Sequence, residues 1–431
     1  MLDSKLFKAL TIGANLMAFS HAAALPYSNT TVLKQCVASM DGKLPSTLPT
    51  DFTYSGKVRK FYIAAEQVTW DYTPTGWDNW LGVPISASPR AYLAGYTAPG
   101  SLGTKWAKAI YRGYTDATFN KLSPQPPTQG INGPTLRAEV GDMIEILFVN
   151  RLPQQYASMH SMGLSYTKDN EGSIYPDSTT PVNVDQATPI GSAVPPGECY
   201  TYKWLINEGS APTLGSPSHM WAYHSYVSLN EDLNAGLVGP TIVYAKGMMD
   251  STMAANREFA LLYMDFDESQ SILSSTNAKA FGVNTAKSAM PLPSLGQGYA
   301  NQSIWHPQVR NLGGAYQLTS TQAPSFHSLN GYIFANNKPF EMCRDDKVIW
   351  YVYAVGSDSH VFHMHGNGFS YLGQNMASIS LNDGIMVTLP GTARGVGNWQ
   401  LICHVSNHLG AGMVDTYIVY EKGSCPLTKL A

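Results

Sequence analysis

The chain has 431 residues, which at roughly 150 per domain points to two or three domains with substantial cores. Charged residues make up 13% of it, about half the usual share, while 38 Gly and 27 Pro favour turn-rich β structure over coiled coils or disordered tails. A net charge of -3, with no run of Lys or Arg, excludes the basic surface that nucleic acid needs.

At the N-terminus Lys5 and Lys8 precede the apolar residues 9–19 and the small residues Ala22, Ala23 and Ala24. Residues 1–24 therefore read as a secretory signal peptide cut before Leu25. No later segment holds 18 consecutive apolar residues, so no membrane span is expected and the mature chain should be secreted to the extracellular side. Sequons beginning at Asn29 and Asn301 are glycosylation acceptors in a host that secretes through an endoplasmic reticulum. Five cysteines remain in that oxidising setting: Cys36, Cys199, Cys343, Cys403 and Cys425. An odd count leaves at least one unpaired unless a bond joins two chains.

Further along, residues 142–150 (DMIEILFVN) and 347–354 (KVIWYVYA) are short, rich in β-branched and aromatic residues, and read as strands. Residues 130–134 and 195–197 carry the Gly and Pro of turns between further short strands. These stretches belong to a duplication. Residues 235–247 (AGLVGPTIVYAKG) and 411–423 (AGMVDTYIVYEKG) share eight of thirteen positions. Upstream, residues 221–228 align with 399–406, and 160–163 with 363–366. The expectation is two homologous β-sandwich domains, 50–247 and 257–425, joined by a linker over 246–257.

Side chains two apart on a strand share a face and can converge on one metal centre. Four such pairs recur along the repeat: His160/Met162, His224/Tyr226, His363/His365 and Ile402/His404. Cys403, between the last two, must project to the other face, where His360, His408 and Met413 can meet it. Two His, one Cys and a more distant Met are the donors of a blue-copper centre, with thiolate and imidazoles in a plane and the thioether on the axis. The first repeat has Ala157, Ser225 and Leu237 where the second has His360, Cys403 and Met413, so only the second is expected to hold that copper.

The motifs HVFHMHG (360–366) and CHVSNHLGAGM (403–413) resemble the copper signatures of multicopper oxidases. FYIAAEQVTWDY (61–72), YRGYTDATF (111–119), GPTLRAEVGD (133–142) and NAGLVGP (234–240) are similar to the branch of that family holding ceruloplasmin, hephaestin and the A domains of coagulation factors V and VIII. The likeness covers most of the mature chain. It implies an all-β fold of two cupredoxin-like (plastocyanin-like) Greek-key sandwiches, a type 1 copper on His360, Cys403, His408 and Met413, and a Cys343–Cys425 disulfide, which leaves Cys36 and Cys199 as the remaining pair. It also implies that the eight paired positions line a trinuclear cluster that takes electrons from the type 1 copper and reduces dioxygen to water. Here the chain departs from the pattern. His160 and His363 keep the type 2 pair, one type 3 pocket becomes Met162/His224/His404, and the other becomes Tyr226/His365/Ile402, in which Ile402 offers no donor.

Cys403 and His404 are covalent neighbours, so a bonded electron route survives on that side, while the route through position 402 is lost. The expected function is a secreted copper oxidoreductase, with Fe(II) or a phenol as the small reducing substrate, and four-electron dioxygen reduction the less supported part. The alternative is a non-catalytic blue-copper electron-transfer or copper-binding protein; a scaffold for protein contacts is disfavoured by the intact ligand set. In a two-domain chain the facing cluster surfaces belong to neighbouring subunits, as in the related trimeric oxidases, so the resemblance implies a homotrimer. Asp265, Asp267 and Glu268 are read as a solvated turn with a candidate role in iron docking, and His219, His306 and His327 as surface or hydrogen-bonded loop residues.

Overall fold

The computed structural model describes residues 30–94, 103–175, 190–213, 215–282 and 324–430. The expected signal peptide, the sequons at Asn29 and Asn301, His21 and His306 lie outside the described residues.

Both apolar stretches form strands, Met143–Asn150 and Lys347–Ala354, and both are buried along nearly their whole length. Each is covered on two sides, which is why apolar residues run without alternation. In the first half Val58–Asp71 pairs antiparallel with Lys105–Tyr114 and parallel with Met143–Asn150, and Cys199–Leu205 completes a four-stranded sheet. The facing sheet orders Leu136–Glu139, Val238–Tyr244, Ser218–His224 and His160–Met162.

The second half repeats both orders. Ser325–Leu329, Arg257–Asp267, Lys347–Ala354 and Met386–Thr392 follow the first sheet, extended by Phe369–Tyr371 and Gln374–Met376. Phe340–Cys343, Val414–Tyr420, Gly397–Cys403 and His360–Met364 follow the second, extended by Ser378–Leu381. One ion pair marks the shared register: Arg59 Nε donates to Asp142 Oδ2 at 2.6 Å, and Arg257 Nε to Asp346 Oδ2 at 2.9 Å. Each aspartate also accepts a backbone N–H, from Glu139 and from Cys343. The shared glycine of the two His motifs has a steric cause. Gly163 and Gly366 have φ of +89° and +71°, and a Cβ there would come within 2.0 Å of Trp221 and 2.6 Å of Trp399.

Ile63, Ile146 and Tyr202 of one sheet meet Leu136, Tyr223 and Val243 of the other in the first core. Leu261, Val352 and Leu389 meet Phe362, Leu401 and Tyr417 in the second. A third apolar layer joins the halves, with Met220, Ala222 and Ile242 against Leu262, Ile349 and Tyr353. The acidic stretch expected as a solvated turn lies partly in this seam. Glu268 is fully buried, 2.7 Å from the equally buried Lys108 Nζ, and accepts the Tyr72 hydroxyl. Asp265 and Asp267 end a strand, in which acidic and aromatic or apolar residues alternate.

Within the expected linker Met249–Ala255 is helical, held by the Met249 N–H on Glu139 Oε1 at 2.8 Å. Disulfides join Cys36 to Cys199 and Cys343 to Cys425, and Cys403 is the free, buried cysteine among the described residues. No described helix is long and apolar enough to cross a membrane.

Candidate metal centre

Strand His360–Met364 lies antiparallel to Gly397–Cys403, with Phe362 opposite Cys403. Alternation sends Phe362 and Cys403 into the core, and the short helix Ser406–Gly410 that follows turns His408 back toward the thiol. Cys403 Sγ is 3.9 Å from His360 Nδ1 and 3.7 Å from His408 Nδ1, and the two nitrogens are 3.2 Å apart. All three side chains are essentially inaccessible, as is Met413, whose backbone N–H reaches the His408 carbonyl and whose carbonyl accepts the Cys403 N–H. A cation at the centre of that triangle would lie about 2.1 Å from each atom, within the range of metal–imidazole bonds and just short of metal–thiolate bonds.

Chemistry agrees with geometry. Burial, reinforced by the neighbouring His408, pushes His360 down to about 4, so it presents a neutral imidazole at physiological pH. The His360 Nε2 atom is buried without a hydrogen-bond partner. Burial pushes the Cys403 thiol up, so without a cation it stays protonated and inert. Behind the triangle His408 Nε2 lies 3.1 Å from Asp358 Oδ2, the carboxylate–imidazole contact that orients a metal-ligating histidine. The donor set and its packing fit copper.

The remaining paired positions gather as two sets, one per half. His160 stands opposite His224, with ring centroids 5.3 Å apart, and Tyr226 is 5.1 Å from His160 and 5.6 Å from His224. In the other half His363 is 5.2 Å from both His365 and His404. Three of these histidines donate Nδ1–H to a backbone carbonyl: His160 to Glu171 at 2.7 Å, His224 to Ser225 at 2.9 Å and His363 to Ala377 at 2.8 Å. That leaves the lone pair on each Nε2, the tautomer a metal requires. Burial lowers His160 and His365 and pushes His224 down to about 4. The Met162 methyl lies 3.7 Å from where a Cβ would stand at Gly384, across the seam. Ile402 is buried opposite His363. Among the described residues, His360, Cys403 and His408 form the one group of three or more His, Cys, Asp or Glu whose ligating atoms lie within 4.8 Å of one another.

A family model described as multicopper oxidase matches residues 310–423. Human ferroxidase HEPHL1 is 32% identical over 368 residues, 84% of this chain and 29% of that protein. Human ceruloplasmin is 32% identical over 383 residues, 86% of this chain and 32% of that protein, and human hephaestin 30% over 377 residues, 84% and 29%. The chain carries a multicopper oxidase domain. It spans less than a third of the length of each of those relatives. Copper is the cofactor of multicopper oxidases, and the His360/Cys403/His408 group is consistent with the type 1 site of that family.

Two features of this chain escaped the sequence. His327, expected as a surface or loop residue, sits in strand Ser325–Leu329 and stacks on His408, with ring centroids 4.5 Å apart and planes 23° from parallel. Its Nδ1 is 3.7 Å from Asp265 Oδ2, its cross-strand partner. The only sequence signal was that His and Asp occur in two strands whose pairing was unknown. The second feature is what fills the equivalent pocket of the first half. Ser225 Oγ, at the Cys403 position, donates to Asp232 Oδ2 at 2.6 Å, and that carboxylate also takes the Val227 and Ser228 N–H groups. Asp232 corresponds to His408, so hydrogen bonds replace metal ligands there. Burial pushes Asp232 up to about 7.

Proposed function

We propose that the chain is a secreted copper oxidoreductase that accepts single electrons from a small reductant, Fe(II) or a phenol, at a type 1 site made by His360, Cys403, His408 and Met413. The convergence of one buried thiol and two buried imidazoles, backed by a buried thioether, carries this reading. Copper bound there would supply reversible one-electron redox chemistry in a packed, water-excluded pocket.

The rest is the work of this chain's residues. Asp358 orients His408 through Nε2, and Asp358 is partly exposed, so this is the edge at which a reductant arrives. His327 and Asp265 stand beside the same ring and, with Asp358, put two carboxylates and an imidazole at one rim of the site, where they would attract a cation. This rim supports Fe(II) over a phenol as the substrate. Inward, Cys403 and His404 are joined by one peptide bond, a covalent path from the thiolate to the second histidine set. That set and the one at His160, His224 and Tyr226 belong to different halves; by analogy with the trimeric two-domain oxidases, a site drawing on both takes its second set from a neighbouring copy once chains close into a homotrimer.

The test is to load the purified protein with copper, record the visible thiolate band and add stoichiometric Fe(II) or a phenol. Bleaching by one equivalent supports the reading; a colourless protein, or colour that no reductant bleaches, contradicts it. The second reading, an electron-transfer protein without oxidase activity, is favoured by Met162, Tyr226 and Ile402 standing where imidazoles would be needed. It predicts bleached protein that a redox protein partner reoxidises and dioxygen does not.

A further inference from the structure

The duplication gives each sandwich two outer sheet faces, and the chain shows what one kind does to the other. The first half's outer face at Met220, Ala222 and Ile242 packs on the second half's outer face at Leu262, Ile349 and Tyr353. Each of these faces has a repeat equivalent. The positions matching Met220, Ala222 and Ile242 are Asn398, Gln400 and Ile418; Asn398 is exposed and the other two half-buried, with no described element over them. The Arg59–Asp142 and Arg257–Asp346 pairs set the other equivalence. Ala64, Glu145, Leu147 and Val149 stand where Leu262, Ile349, Tyr351 and Tyr353 stand in the seam, with Glu145 paired to Lys60 and Lys203.

That second face is covered, and by a segment with no counterpart among the described residues of the other half. Val32, Leu33 and Cys36 of helix Thr30–Ala38, followed by Met40, pack on Ala64, Leu147, Val149 and Cys199. The Thr201 hydroxyl donates to the Cys36 carbonyl at 2.8 Å, Lys60 Nζ to the Met40 carbonyl at 2.9 Å, and the Gly42 N–H to Glu145 Oε1 at 3.0 Å. The Cys36–Cys199 disulfide ties the helix to the sheet. The helix itself has nine residues, no acidic residue in its first turn and no basic one in its last, and its other face is in solvent. Helices shorter than about 12 residues do not persist alone in water, so this one depends on its tether and its apolar contacts.

We propose that helix Thr30–Ala38 is a removable cover over the face that receives a second copy of this chain. With the cover lifted, the open Gln400/Ile418 face of one copy packs on Ala64, Leu147 and Val149 of the next, repeating between chains the packing seen within one. His363, at the margin of that open face, and the neighbouring His365 and His404 are thereby carried to the first half of the neighbour. The inference rests on the type 1 and shared-cluster reading above, and it adds that the cover decides whether the sharing occurs.

The test uses the full chain loaded with copper. Light scattering and copper content are compared for wild type, for Cys36→Ser/Cys199→Ser, and for that pair with Leu33→Asp. The expected result is a monomer with one copper per chain for wild type, and a closed oligomer with more than one copper per chain once the cover is released. Adding Ile418→Arg should return it to monomer. The visible thiolate band arises in the second half and reports folding in every variant; a colourless wild type would sink the type 1 reading itself. Should Leu33→Asp lose the band, the milder cysteine pair decides. A released variant that keeps its colour and stays monomeric, or a wild type that is already oligomeric with residues 30–38 protected from hydrogen exchange, overturns the proposal.

Discussion

The two halves share sheet order, an Arg–Asp register pair and a Gly packed under a Trp, yet fill the same pocket in opposite ways. In the first half the Ser225 hydroxyl and two backbone N–H groups all close on Asp232 Oδ2, while the buried Oδ1 has no partner. In the second Cys403 Sγ and the Nδ1 atoms of His360 and His408 face each other, 3.2 to 3.9 Å apart, with no such closure. A polar pocket in a sandwich core must be neutralised from within or completed by something else. The first half shows the former solution and the second keeps the donors for the latter.

The sharpest way to break that contrast is Cys403→Ser. It should abolish the visible thiolate band and electron uptake entirely while leaving the fold intact, since Ser225 shows that the pocket tolerates a hydroxyl; retention of colour would refute the ligand assignment. Next is the seam that holds the halves together. Lys108→Met leaves Glu268 buried and unpaired and should cost about 3–5 kcal/mol in denaturant unfolding, whereas Lys108→Met with Glu268→Leu should recover most of it.

Asp232 gives the first half its own pH signature. Its folded value is raised to about 7 from an ordinary carboxyl near 3.8, so the folded state holds a proton that the unfolded chain releases. Stability from this group is therefore present at low pH and falls as pH rises from about 4 to about 7, by up to about 1.4 kcal/mol per unit. Asp232→Asn keeps the acceptor oxygen and should flatten that slope, gaining about 2 kcal/mol over wild type at pH 7 relative to pH 5. An unchanged slope would show that the carboxylate is solvated. The smallest expected effect is at the rim. His327→Ala should raise the Fe(II) concentration needed for half-maximal bleaching about tenfold, roughly 1.4 kcal/mol, and leave bleaching by a phenol unchanged. Equal losses for both reductants would place His327 in support of His408 instead.

Much of this was legible in the chain. Period-two spacing places His363 and His365 on one face and Cys403 on the other, and the internal repeat supplies its own control at Ser225. The remainder depends on which strands become neighbours. His327 meets His408 through a pairing of Ser325–Leu329 with Arg257–Asp267 that neither strand encodes alone. Glu268 looked solvated because its partner Lys108 lies 160 residues away. Spacing also could not reveal that Asp232 replaces His408, since a hydrogen-bonded carboxylate leaves no motif, or that Met162 turns to the seam beside Gly384.

The account's central claim is tested most directly by visible absorption and electron paramagnetic resonance of the copper-loaded full chain. It predicts an intense thiolate-to-copper band and a blue-copper signal equivalent to one ion per chain, both missing in Cys403→Ser. A colourless, fully loaded sample whose Cys403 still reacts with an alkylating reagent would contradict it.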